Sequence, residues 1–107
     1  MHGTPSAIPL LTPTRIAHVS ISDDTLSVDL EDGRTIGVPI GWFPRLAHGT
    51  ATERANFQVS GAGYGIHWPG LDEDIGVEGL LLGKKSNESP ASIQRWLQSR
   101  HAGLESL

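Results

Sequence analysis

The chain has 107 residues, 37% hydrophobic and 19% charged, with no cysteine and a formal net charge of −4. That is the size of one domain with one core. The longest apolar run, Leu80-Leu81-Leu82, is far short of the roughly 20 residues that span a bilayer, the missing cysteines exclude disulfides, thiolate metal sites and cysteine nucleophiles, and an acidic balance lacks the basic footprint that gives nucleic-acid binders most of their affinity.

In chain order, residues 1–14 contain three prolines and little periodicity, and read as a flexible N-terminal arm. The opening Met1-His2-Gly3-Thr4-Pro5 has no basic region ahead of an apolar one, so no signal peptide is expected, and a small cysteine-free domain is expected in the cytoplasm. Residues 15–83 read as an α+β domain. Alternation from Ile16 to Ser22 predicts a strand; Asp23-Asp24 is turn chemistry; Leu26, Val28 and Leu30 mark a second strand. Asp32-Gly33 is the signature of a two-residue type I′ hairpin, and Ile36, Val38 and Ile40 complete a three-stranded antiparallel meander. Pro39 confines that third strand to an edge or an end.

Trp42, Phe43, Leu46 and Ala47 predict a short helix closed by Gly49, and Thr50 or Thr52 would cap a further helical turn through Glu53 to Asn56. Phe57 and Val59, then Tyr64, Ile66 and Trp68, predict a second β-hairpin turning at Gly61-Ala62-Gly63. Leu71 to Val77 reads as irregular, and Val77 to Leu82 as one or two helical turns with Gly83 behind them. Residues 84–107 read as a polar connector and a C-terminal helix: Ser89-Pro90 is a cap followed by proline at the first helical position, Ile93, Trp96, Leu97 and Arg100 share a face, and the end falls near Gly103.

The residues that could carry chemistry are few. His18, His48, His67 and His101 have no ligand spacing, so no metal site is expected. His67, between inward-facing Ile66 and Trp68, should face outward, the ordinary place for a surface histidine. Asp72-Glu73-Asp74 lacks the spacing of a calcium loop and reads as a solvated acidic segment. Gly61-Ala62-Gly63 joins two strands and does not open a helix, so it is a turn and not a phosphate cradle. The tryptophans fit core positions. Nothing assembles a nucleophile and base, so no catalytic residue and no cofactor are expected.

The residues resemble one family. Leu30-Glu31-Asp32-Gly33-Arg34 looks like its first hairpin, and the run Gly65-Ile66-His67-Trp68-Pro69-Gly70-Leu71-Asp72-Glu73-Asp74-Ile75-Gly76-Val77-Glu78-Gly79-Leu80-Leu81 resembles the signature of small bacterial proteins catalogued as domain of unknown function 2442. Glu88-Ser89-Pro90-Ala91-Ser92, running into Trp96-Leu97, looks like the tail many members carry. The resemblance, from about Arg15 to Arg100, implies strands first, then a helix, then a hairpin, in a bacterial and cytoplasmic protein. It brings no activity and no catalytic residues. Some members look fused to a helix-turn-helix or sit beside small toxin-like partners, which implies regulation by analogy alone. Folding accounts for the run: Trp68 and Leu71 bury against the sheet, Asp72 and Asp74 cap the following turn, and Ile75, Leu80 and Leu81 close the core.

The expectation is therefore a non-catalytic protein-interaction or regulatory module, antitoxin-like in that its acidic segment would suit a basic protein partner. A homodimer through an exposed sheet edge is the plainer form. A small-ligand or nucleic-acid binding domain is the alternative, and an enzyme the least expected. The candidate surface comprises His67, Asp72, Glu73 and Asp74 with Lys84, Lys85, Arg95 and Arg100.

Overall fold

The computed structural model describes residues 14–105; the arm expected at 1–14 lies outside them save for Thr14. The meander is present as β1 (Ile16–Ile21), β2 (Thr25–Leu30) and β3 (Thr35–Pro39), antiparallel in the order β1-β2-β3. Strict alternation would place Ile16 and Val19 on opposite faces. A register shift between Ile16 and His18 accommodates Ala17 as an extra residue, and both Ile16 and Val19 are buried. The β2–β3 turn is not the expected type I′. Leu30 and Arg34 flank a three-residue loop, the Gly33 N–H donates to the Leu30 carbonyl at 3.0 Å, and only Gly33, at φ 96°, is left-handed there. Asp32 keeps a negative φ because its carboxylate accepts from the Arg34 N–H (3.0 Å) and Nε (2.7 Å), which fixes the turn without a second positive φ.

Ile40–Trp42 form a single 3₁₀ turn, and α1 spans Pro44–His48, later than the expected start at Trp42. Proline restricts the residue before it to extended backbone, and Phe43 sits at φ −127°, ψ 92°, so the helix begins with Pro44 in its first turn. α2 (Ala51–Ala55) opens on a capping box: Thr50 Oγ1 accepts from the Glu53 N–H at 3.1 Å and the Glu53 carboxylate accepts from the Thr50 N–H at 2.9 Å. Arg54 binds the Leu46 and Gly49 carbonyls and reaches Asp23 at 3.0 Å, tying α1 and α2 to the β1–β2 turn.

A second sheet has the order β4-β5-β6: β4 (Gln58–Ser60), β5 (Gly65–Trp68) and β6 (Glu73–Gly76). Its first hairpin is the expected one, turning through left-handed Gly61, Ala62 and Gly63. β6 is new: the segment read as irregular is a strand, with Ile75 opposite Ile66 and Glu73 opposite Trp68. Asp72, at φ 50°, makes the tight turn into it, so Asp72 and Asp74 do not cap a helix. α3 (Val77–Leu81) follows, with Gly83 left-handed at φ 71° just past its end, as expected.

The core lies between the two sheets and the short helices. Leu26 and Val28 of β2, Leu46 of α1, Ile66 and Trp68 of β5, Leu71 and Val77 are its fully enclosed side chains; each contributes roughly 2 kcal/mol of transfer free energy. The Trp68 indole N–H donates to the Arg54 carbonyl at 2.9 Å, so the largest core side chain carries no unpaired polar atom. α4 (Pro90–Glu105) lies outside this cluster and touches it through Trp96. No helix among the described residues is long and apolar enough to cross a membrane.

Candidate functional site

Because β5 buries Ile66 and Trp68, His67 is turned to the opposite face of its sheet, as expected. β6 sets Asp74 directly across from it, and His67 Nδ1 lies 2.8 Å from Asp74 Oδ1. The pair stands on the sheet face opposite Ile66 and Trp68, with Gln58 as the other cross-strand neighbour of His67. Among the described residues no three metal-ligating side chains converge.

The edge of β6 away from β5 is a different surface. All four β6 residues line a cavity of about 220 Å³, and its far wall is the connector Lys84, Lys85, Ser86 and Asn87. Lining by consecutive strand residues means that the backbone edge itself forms the wall. The ladder shows which groups face it. The Val77 N–H donates to the Tyr64 carbonyl at 2.9 Å, one pair beyond Gly65↔Gly76. Bonded pairs alternate along an antiparallel ladder, so Ile66↔Ile75 is bonded, while Asp74 and Gly76 turn their N–H and C=O groups into the cavity. Two of those four groups are engaged: Glu73 Oε1 accepts from the Asp74 N–H at 3.0 Å, and the Gly76 carbonyl, at the N-cap, starts α3. The Asp74 carbonyl and the Gly76 N–H have no backbone partner among the described residues.

Burial pushes the Glu73 carboxyl above the usual carboxylate range; its bond from the Asp74 N–H and the nearby Arg45 oppose that shift. Lys85 lies over the Trp42 ring at 5.2 Å, which steadies the lysine wall against the 3₁₀ turn. Gly76 also borders a second cavity of about 300 Å³, lined by Tyr64, Val77 and Glu78. Tyr64 is one of the exposed large hydrophobic side chains.

The surface expected from sequence is thus divided. Glu73, Asp74, Lys84 and Lys85 meet at the groove. Asp72 lies 3.8 Å from Arg45, and His67 is on the outer face. Arg95 is exposed on α4. Arg100 faces inward, paired with Glu53 at 2.7 Å and stacked 4.7 Å from the Trp96 ring centre, so it belongs to the seating of α4. Sequence reasoning missed Gly76, whose importance depends on β6 being a strand. With Ile75 the single apolar residue of Glu73–Gly76, no alternation marked the strand.

The profile of a family described as protein of unknown function, DUF2442, matches residues 16–86; the tail-like resemblance at 88–97 and all of α4 lie beyond that match. Solved structures share the fold. One, a crystal structure of a protein of unknown function from Rhodospirillum rubrum, is 28% identical with a TM-score of 0.62, over 77% of this chain and 99% of its own. Another, a solution NMR structure of an uncharacterised protein from Chromobacterium violaceum, is 18% identical with a TM-score of 0.59, over 76% of this chain and 74% of its own. No curated protein matches the chain.

Proposed function

The chain belongs to this DUF2442 family, and from that premise we propose that it is a non-catalytic protein-interaction module whose groove along β6 holds an extended segment of a partner protein. The observation that carries the reading is the pair of backbone groups on the groove wall. An acceptor at Asp74 and a donor at Gly76, flanking Ile75, are spaced to engage one residue of an added strand, the mode by which sheet edges capture peptides.

The free pair also sets a direction. A carbonyl at one residue and an N–H two residues on together serve a single residue of a parallel neighbour, whereas an antiparallel neighbour opposite Gly76 needs the Gly76 carbonyl, which α3 uses. Two-fold pairing of β6 with a second copy is antiparallel, so this edge favours a foreign segment over a homodimer. The antitoxin-like form, in which the acidic stretch captures a small basic protein, draws less support, because Asp72 faces Arg45 and Asp74 faces His67.

Gly76→Pro tests the reading. Gly76 has an extended backbone at φ −95°, its N–H does not serve the ladder to β5, and a Cβ there meets nothing closer than the Tyr64 carbonyl at 3.9 Å, so proline replaces the donor with its ring and leaves the sheet in place. A phage library of random peptides about twelve residues long is selected on the wild type. Sequences that bind the wild type and lose at least about tenfold in affinity for Gly76→Pro support the groove. No enrichment, or equal binding to the two proteins, overturns it.

A further inference from the structure

α4 is held to the domain by two arginine–carboxylate pairs and a small apolar contact. Ile93 is its one buried hydrophobic side chain among those described, and it lies outside the core cluster. The rest of the described seat combines Trp96, packed against the core cluster, and half-buried Leu97 with paired charged groups. Arg45 of α1 grips Glu88 through Nε (2.9 Å) and Nη2 (2.7 Å), and Ser92 Oγ donates to the same carboxylate at 2.6 Å. One helical face further on, Arg100 grips Glu53 of the α2 capping box with bonds of 3.0 and 2.7 Å. Trp96 lies between the two guanidinium groups, 5.0 Å from Arg45 and 4.7 Å from Arg100. Two forked arginine–carboxylate pairs around one aromatic ring give a precise geometry with little apolar burial, so the seat responds to charge more than the core does.

The position of this seat gives it a consequence. Glu88 is the next residue after the groove wall formed by Lys84 to Asn87. Beyond Lys84, that wall is fixed by the Ser86 N–H bond to the Trp42 carbonyl (3.0 Å), by Lys85 on Trp42, and by Glu88 on Arg45. We propose that α4 is a releasable latch: seated by the Arg45–Glu88 and Glu53–Arg100 pairs it holds the 84–87 wall against β6, and unseated it lets that wall swing away and opens the groove. The meaning of the opening rests on the groove reading above, but the latch itself is a property of the free protein.

The test uses the full chain without any ligand. Glu53→Gln combined with Glu88→Gln removes both charges and keeps the acceptors, and glutamine still completes the capping box at Thr50. Hydrogen exchange is followed at Ser86, across 93–98 of α4, and at Leu26, Val28 and Ile66. In the double variant, exchange of Ser86 and of the α4 amides is expected to rise together by about tenfold or more while the three core amides stay protected. Unchanged α4 exchange, faster α4 exchange with Ser86 unmoved, or core amides opening alongside α4 each overturn the latch. A failed peptide selection bears on the groove alone.

Discussion

Trp68 donates its indole N–H to the Arg54 carbonyl from a position closed to solvent and packs its ring 6.1 Å from that of Phe57. Trp68→Phe removes the donor, strands a carbonyl and leaves part of the ring volume empty, so a loss of about 2–3 kcal/mol is expected in urea unfolding, with no new state appearing. Gly49 is constrained differently. Its φ of −73° suits any residue, but a Cβ there would meet both Leu71 methyl groups at 2.9 Å and the Arg45 carbonyl at 3.2 Å. Leu71 is itself enclosed and has nowhere to retreat. Gly49→Ala is expected to cost about 1–3 kcal/mol by overpacking; a neutral result in the same denaturation assay would show that Leu71 has room to move.

At the scale of elements, α2 is too short to hold itself together and depends on its cap. Thr50→Ala removes the hydroxyl that accepts from the Glu53 N–H and is expected to cost about 1 kcal/mol by urea denaturation. The elements legible in the sequence are those whose local chemistry agrees with their place in the fold. Leu26, Val28 and Leu30 alternate because one face of β2 is buried; Ser89-Pro90 caps α4 by rules internal to the helix. β6 was illegible because two of its four residues are acids and a third is glycine, all poor strand formers. It exists because Ile75 has Ile66 to pack on and β5 offers an edge. The candidate site divides along the same line. Glu73, Asp74, Lys84 and Lys85 stood out as charged runs, but the groove they share needs β6 to be a strand. The seat of α4 joins Arg45 to Glu88 and Glu53 to Arg100, pairs 43 and 47 residues apart, and no local pattern records such a pairing.

Across the whole molecule the carboxylates pull in opposite directions as the pH falls. The Arg100 guanidinium, aided by the capping bonds at Thr50, holds Glu53 at about 2 against an ordinary 4.5, and Arg45 with Ser92 also holds Glu88 below 4.5. A carboxyl depressed by folding contributes stability that is complete above its unfolded pKa and is lost as the pH falls through its folded one. Both contributions are complete above about pH 4.5; that of Glu53 is lost progressively toward about pH 2, and that of Glu88 as the pH falls through its own lowered value. Glu73 is raised by burial, so its ionised form is a cost at neutral pH, and it takes up its proton at a higher pH than Glu53 or Glu88 does. Stability measured as the urea midpoint is accordingly expected to change little, or to rise slightly, as pH drops from neutral to about 5, and then to fall steeply. Glu73→Gln should remove the slight rise. Glu53→Gln with Glu88→Gln should flatten the acid fall, at the expense of stability at neutral pH. If that double variant kept the full acid slope, the loss would have to come from carboxylates elsewhere, and the two arginine pairs would hold α4 more weakly than their geometry implies.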